Sequence, residues 1–358
     1  MEKKDNIYII NENIGKGHRA VSEALKEEIE NKFKVSVEVI DYFSLVSENI
    51  EKALGSTYKY IIGNLPYLYK IIYYILINKE GSDYSIMDML IAQKLKSRIG
   101  EEKLQNSILI STFPNSTIAL SFIDAYKKYA VVTDYYAHDG WITKKIDGYF
   151  VANNEIKEKF EKADIDKNKI HITGIPIKKK FYKTTNKSEV KKRLSINNDK
   201  KVILLMGGGD GIIPDAEYII SNLSQKYNII VITAKNKKLK ENLEEKNFPN
   251  TIILGYEENI EDIMGISDIA ITKAGGLSLS ELNLKRVPII IYKAIPGQEK
   301  DNSIFFQKNN ACIEINNKEK LKITVNKILS GKIELRGKIV DSKIPSTSKI
   351  IKFIEKDL

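Results

Sequence analysis

The stretch from Ile271 to Asn302 limits the fold more than any other part of the chain. It reads as the end of a β-rich run, a Gly275-Gly276 turn, a helix-period segment, the buried run Val287–Tyr292, a polar loop and a new helix start. Short apolar runs alternating with helical segments predict strands joined by crossover helices, and so a parallel sheet. Two of the loops then leave the same sheet edge, the edge where open α/β sheets bind ligands. One carries Gly275 and Gly276 with Glu281; the other carries Gln298, Glu299 and Asn302.

The same alternation runs through the whole chain. At 358 residues it exceeds the usual size of one core, so two domains are expected. Ile7–Ile10 predicts a first strand, followed by the polar Asn11-Glu12-Asn13 and a glycine turn at Gly15–His18. Apolar Ala20, Val21, Ala24, Leu25 and Ile29 then follow at helical spacing. Val35–Ile40 is the next strand and ends at Asp41; Ser107–Ser111 and Ala130–Thr133 are short buried strands. The second of these runs into a loop holding Asp134, His138 and Trp141, the chain's single tryptophan. Gly174-Ile175-Pro176 forces a turn before a Lys-rich, non-periodic stretch. The expected division is therefore 1–174 and 175–340, with 341–358 a C-terminal helix packing back toward the first domain. In the second half, Val202–Met206 leads into Gly207-Gly208-Gly209-Asp210-Gly211, with a helix expected from Ile213-Pro214. Thr251–Leu254 leads into Gly255-Tyr256.

Composition removes several classes. A lone Cys312 excludes an internal disulfide framework and fits a reducing compartment. No basic segment followed by an apolar run opens the sequence, and no run approaches the ~18 apolar residues of a membrane span. Residues 1–150 carry a net charge of −1 and the remainder +11. A basic face of this kind attracts phosphates or an anionic membrane, or is simply solvated. Nucleic acid is not expected as a partner, because no motif that reads it is present. Residues 55–91 interleave Tyr58, Tyr60, Tyr67, Tyr69, Tyr73 and Tyr74 with many Ile and Leu, broken by Gly63 and Pro66. More large apolar side chains occur there than one buried stripe holds, which suits a membrane interface as well as a core.

The candidate chemistry sits in the loops. His18 follows a glycine turn at a helix start, where an imidazole serves as a general base or as a solvated cap. Gly15, Gly17 and Ala20 also match the relaxed dinucleotide fingerprint, with Asp41 as the ribose acid, which would imply NAD. Four glycines among residues 207–211 supply backbone N–H groups for a diphosphate, and the absence of a following Gly-Lys-Ser/Thr excludes a Walker loop. Asp134 and His138, four residues apart in a loop, are placed to pair. Neither His-x-x-x-His nor a Cys pair occurs, so no metal site is expected, and Asp164-Ile165-Asp166 is taken as a chance match to a metal-binding Asp-x-Asp.

Taken together, the motifs resemble a known family. Ile14-Gly15-Lys16-Gly17-His18-Arg19-Ala20, Thr133-Asp134 with His138 and Trp141, Thr173-Gly174-Ile175-Pro176-Ile177, and Thr272-Lys273-Ala274-Gly275-Gly276 through Ser280-Glu281 to Pro296-Gly297-Gln298-Glu299 and Asn302 occur in this order. In that combination the chain resembles the monogalactosyldiacylglycerol synthase and processive diacylglycerol glucosyltransferase family, which is related to the peptidoglycan N-acetylglucosaminyl transferase. The resemblance implies a GT-B fold, two Rossmann-like domains with parallel sheets facing a central cleft. It implies inverting transfer of a hexose from a UDP-sugar to diacylglycerol or a related glycolipid, with no cofactor. It also implies a cytoplasmic protein held peripherally at the cytoplasmic face of the cell membrane, on an anionic surface.

By the same resemblance His18 is the base for the acceptor hydroxyl, with Gly15, Gly17, Asp134, His138 and Trp141 around the acceptor or cleft. Gly208, Gly209, Asp210 and Gly211 correspond to the diphosphate loop and Gly255-Tyr256 to the uracil turn. Glu281 corresponds to the ribose-binding acid, and Gln298, Glu299 and Asn302 to the sugar-facing group. Lys273, Gly275, Gly276 and Ser280 complete the nucleotide-sugar set. Ala274 replaces a usual proline, and Lys285-Arg286 stand where a small residue is common. Three other classes remain open: a nucleotide-sugar 2-epimerase of the same fold, an NAD dehydrogenase, and a non-catalytic UDP-sugar sensor at a membrane.

Overall fold

The computed structural model describes residues 6–12, 16–45, 86–196 and 199–358. Gly15 and the tyrosine-rich segment up to residue 85 lie outside the described residues. The chain divides into two units, residues 1–178 with 343–358, and residues 179–342. The division falls after Lys178 rather than at Gly174, and Ile175 and Ile177, between those points, are buried.

Unit 1 is built on six parallel strands: β1 (Asn6–Asn11), β2 (Ser36–Asp41), β3 (Ser107–Ser111), β4 (Lys127–Val131), β5 (Gly148–Val151) and β6 (Ile170–Ile172). Their order is β2-β1-β3-β4-β5-β6. Ile7, Ile9 and Ile10 are almost completely buried, as are Ile108, Leu109 and Ile110. Strands covered on both faces need no polar alternation, which is why these runs are continuously apolar. β4 ends at Val131, so Thr133 belongs to the loop beyond it. The winding direction reverses between β1 and β3, which opens a crevice at their C-terminal ends.

Helix α1 (Lys16–Phe33) follows β1 and buries Val21, Ala24, Leu25 and Ile29. It begins before the expected Ala20, so Gly17 and His18 lie in its first turn rather than in a preceding one. Helix α2 (Ile86–Ile99) buries Ile91, Ala92, Leu95 and Ile99 and leaves Ile86, Met89 and Leu90 exposed in its opening turns. Helix α3 (Pro114–Leu120) follows β3, with the proline at its first position, where a missing N–H costs nothing.

Unit 2 carries β7 (Val202–Met206), β8 (Asn228–Ile232), β9 (Thr251–Leu254), β10 (Ile269–Thr272), β11 (Ile289–Tyr292) and β12 (Cys312–Ile315). The order β12-β11-β10-β7-β8-β9 is that of a dinucleotide-binding doubly wound sheet, with its reversal between β7 and β10. The loops after those two strands therefore flank the binding crevice of this unit. Helix α4 (Ala216–Leu223) starts later than the expected Ile213-Pro214. Asp215 takes a left-handed backbone with φ 53, which interrupts helical geometry between the proline and Ala216. Helices α5 (Gly276–Leu284) and α6 (Gln298–Lys308) follow β10 and β11.

The C-terminal helix α7 (Ser346–Ile354) belongs to unit 1. Ile350, Ile351 and Ile354 are buried, each worth about 1.5–3 kcal/mol relative to exposure. Phe353 sets its edge against Tyr129 and Phe150, at centroid distances of 6.1 and 5.5 Å. The Tyr129 hydroxyl donates to Asp357, and Lys32 pairs with Glu355 at 2.8 Å. Among the described residues, no helix is long and apolar enough to cross a membrane.

Candidate active site

His18 stands at the crevice of unit 1. Its Nδ1 lies 2.8 Å from the Thr112 carbonyl oxygen and 2.9 Å from Thr133 Oγ1. A carbonyl only accepts, so Nδ1 carries the proton and Nε2 keeps its lone pair. Among the described residues, Nε2 makes no hydrogen bond. The residues that fix this tautomer come from the loops after β3 and β4, and a second layer steadies them. Thr112 Oγ1 is 2.9 Å from Ser22 Oγ, which donates to the His18 carbonyl one turn back along α1. The Phe113 ring packs edge-on against the imidazole at 5.5 Å. Burial lowers the imidazole to about 4, opposed by the bond to Thr112. His18 is therefore neutral at physiological pH, with the accepting nitrogen available.

The other expected residues of unit 1 fall into different places. Gly17 is exposed, and a Cβ there would meet nothing within 4 Å. Asp134 is buried. His138 Nδ1 accepts from Gly140 N at 3.2 Å and so caps the turn Asp139–Trp141. Burial, with the Lys159 charge beside it, lowers His138 to about 4. Trp141 is not on a ligand-lining surface. It is 1% exposed and packs into the core with Ala137, Ile146 and Tyr149. A large apolar ring at the end of a tight turn gains more by closing that core than by facing solvent. Asp41 Oδ1 accepts from the N–H groups of Phe43 and Ser44, a local capping role at the end of β2. Asp166 likewise caps its own turn through Asn168 N, and Asp164 pairs with Lys144 at 3.5 Å.

Unit 2 gathers most of its expected residues along one sheet edge. The loop after β7 turns through Gly208 and Gly211, both left-handed, with φ 66 and 64. A Cβ on Gly211 would fall 1.8 Å from the Thr233 carbonyl oxygen, and one on Gly208 would fall 2.6 Å from Lys273 Cε. The loop is thus wedged between the ends of β8 and β10, with Gly209 and Asp210 half-buried at its tip. Lys273 Nζ lies 3.2 Å from Glu299 Oε1, and Glu299 Oε2 accepts from Ile295 N at 3.3 Å. Glu299 holds the Lys273 ammonium above its ordinary value against burial, and Asp210 adds to the effect.

Gly275 and Gly297 stand at the N-caps of α5 and α6 and bring no side-chain cap of their own. Their first N–H groups favour an anion. Gly276 is buried, Ser280 Oγ donates back to the Gly276 carbonyl at 2.7 Å, and Glu281 and Gln298 are half-buried on α5 and α6. Asn302 is buried, and its Nδ2 donates to the Ala274 carbonyl at 3.1 Å, tying α6 to the loop before α5. Gly255 follows β9, and Tyr256 beside it is 74% exposed. Among the described residues, no three His, Cys, Asp or Glu side chains come together as a metal site.

The chain is similar to several known proteins. The family model for monogalactosyldiacylglycerol synthase matches residues 18–177. The model for CDP-glycerol:poly(glycerophosphate) glycerophosphotransferase matches residues 126–294. A processive diacylglycerol beta-glucosyltransferase of Bacillus cytotoxicus is 30% identical over 334 residues, 88% of this chain and 83% of the relative. The chain belongs to the family of monogalactosyldiacylglycerol synthases and processive diacylglycerol glucosyltransferases. A protein of the same description from Bacillus licheniformis is 29% identical over 370 residues, covering 98% of this chain and 94% of its own. Among solved structures, MurG of Acinetobacter baumannii aligns with a TM-score of 0.63 at 12% identity, over 98% of this chain and 99% of that one. At that identity the likeness establishes the fold alone, which is GT-B.

Several supporting residues of this family member have no signature in its sequence. Thr112 and Thr133 hold His18 from 94 and 115 positions away. Asn236 donates to the Gly211 carbonyl at 3.1 Å and also caps the following helix through Leu239 N. The cap is readable as an Asn before a helix; the loop contact is not. Asp215 accepts from Tyr292 OH at 2.5 Å and from Lys293 Nζ at 2.6 Å, bracing the start of α4 against the end of β11.

Proposed function

We propose that this chain transfers a hexose, with inversion, from a UDP-sugar to the free hydroxyl of diacylglycerol or of a glycolipid built on it. The observation that carries the reading is His18, neutral, with its tautomer set by Thr112 so that Nε2 is the accepting nitrogen. In the proposed reaction the acceptor oxygen attacks the anomeric carbon as its proton passes to Nε2. The bond from that carbon to the diphosphate breaks, and its electron pair leaves with UDP. Backbone N–H groups of the loop 207–211 and of the α5 start, with Lys273, offset the charge that grows on the diphosphate. Glu281, half-buried on α5, is assigned the ribose hydroxyls, since a carboxylate accepts two such bonds. Gln298 and Glu299 are assigned the sugar, Gly255-Tyr256 the uracil, and unit 1 the lipid.

The relatives' names favour UDP-glucose as the donor. A lipid acceptor calls for contact with a bilayer surface. The basic excess after residue 150 and the exposed Ile86, Met89 and Leu90 support peripheral attachment to an anionic cytoplasmic leaflet. The test is to incubate the protein with diacylglycerol and each radiolabelled UDP-hexose and to separate the lipids by chromatography. A labelled glycolipid from UDP-glucose is the expected result. Binding of UDP-sugar with no lipid product would point to a sensor, and epimerisation of UDP-N-acetylglucosamine to the other enzyme class; either outcome overturns the proposal.

A further inference from the structure

We infer that the Lys273–Glu299 pair opens when an intact UDP-sugar binds, and that this exchange makes free UDP, the leaving group, the weaker ligand. The inference rests on unit 2 being the UDP-sugar domain. In the structure the Lys273 stem lies against the glycine loop, where a Cβ on Gly208 would sit 2.6 Å from Cε. Its ammonium is 3.2 Å from Glu299, on the first turn of α6. The Asn302 bond to the Ala274 carbonyl holds that turn beside the loop that precedes α5. Glu299 thus stands, as the protein's own anion, on the first turn of α6 and against the lysine of the loop that leads into α5.

A diphosphate has more charge and more acceptor oxygens than one carboxylate, so it draws the ammonium away. Glu299, with a side chain only 13% exposed, then keeps a single bond to Ile295 N. A carboxylate so enclosed and without its cation is costly. Sugar hydroxyls of an intact donor repay that cost by donating to it. Free UDP has no such hydroxyls and leaves Glu299 without a partner. Once the hexose has been transferred, Glu299 recovers Lys273 and UDP departs. The pair therefore discriminates a nucleoside diphosphate bearing a polyol from the bare nucleoside diphosphate.

Calorimetry with the full-length protein tests this, using UDP and UDP-glucose on wild type, Glu299→Gln and Lys273→Met. Wild type is expected to bind UDP-glucose more tightly than UDP. Glu299→Gln removes the charge that competes for the lysine, so UDP should bind about tenfold more tightly while UDP-glucose gains nothing. Glu299→Ala frees the lysine too and should show the same gain if the glutamine variant does not fold. Lys273→Met should weaken both ligands, and the double variant should lose the gain seen with Glu299→Gln alone. UDP bound no more tightly by either Glu299 variant would overturn the exchange while leaving the donor-domain reading standing. Wild type that binds neither ligand would overturn both.

Discussion

Titration of His18 gives the sharpest check on its role. If Nε2 takes the acceptor proton, kcat/KM below neutrality follows the neutral fraction of that ring. An unperturbed imidazole near 6.5 would be only about a tenth neutral at pH 5.5, whereas one near 4 would be about 97% neutral. Burial holds His18 at about 4. The expected result is a fall in kcat/KM of less than about a third between pH 7.5 and 5.5, where an ordinary histidine would give roughly tenfold. The assay is UDP release in diacylglycerol mixed micelles at low acceptor concentration. An acid limb centred near pH 6.5 would refute the geometry that buries the ring.

Stability falls more steeply over the same interval. The unfolded chain takes up the proton near 6.5 and the folded chain only near 4, so protons favour unfolding as pH falls through that window. The loss at pH 5.5 is up to about 1.4 kcal/mol for His18, and about as much again for His138, which burial also lowers to about 4. Melting temperature should therefore drop between pH 7.5 and 5.5 although catalysis barely changes.

Three further variants separate contact with ligand from support of the fold. Gly275→Ala adds a Cβ with nothing within 4 Å; it should melt like wild type yet bind UDP-glucose at least about tenfold more weakly, as calorimetry would show, because the added methyl occupies the approach to an uncapped helix start. Gly211→Ala places a Cβ 1.8 Å from the Thr233 carbonyl in a left-handed turn, and urea unfolding should show a loss of about 3 kcal/mol or more. Asn302→Ala strands the buried Ala274 carbonyl. It should cost about 1–3 kcal/mol in the same unfolding measurement.

The sheet strands were the most legible part of the molecule. Ser107–Ser111, Val202–Met206 and Thr251–Leu254 follow directly from apolar runs bounded by turn residues. Boundaries set by one backbone angle were not legible: Asp215, with a left-handed φ and its carboxylate bonded to Tyr292 and Lys293, delays α4 although Pro214 is a favoured opening residue. Trp141 shows a related limit. Its loop reads as polar, and only the assembled core shows that the ring is enclosed. The candidate site was legible as residue types and loops but not as pairs. Lys273 and Glu299 meet because β10 and β11 are neighbours, and His18 meets Thr112 because β1 and β3 are. Strand order is a property of the whole sheet, and no local pattern states it.

A base as weak as His18 also constrains the proposed reaction. A ring near 4 is always ready to accept but holds a proton poorly, so it cannot deprotonate an alcohol in advance. The acceptor hydroxyl becomes acidic only as its oxygen bonds to the anomeric carbon, and the proton therefore moves late. Charge must already have built up on the departing diphosphate by then, and the barrier falls on the groups that receive that charge. The proposed reaction assigns that part to Lys273, the left-handed glycine loop and the two helix starts with glycine N-caps in unit 2. In the proposed reaction the two roles are divided: unit 1 supplies the neutral imidazole that accepts the proton, and unit 2 supplies Lys273 and the backbone N–H groups assigned to the diphosphate.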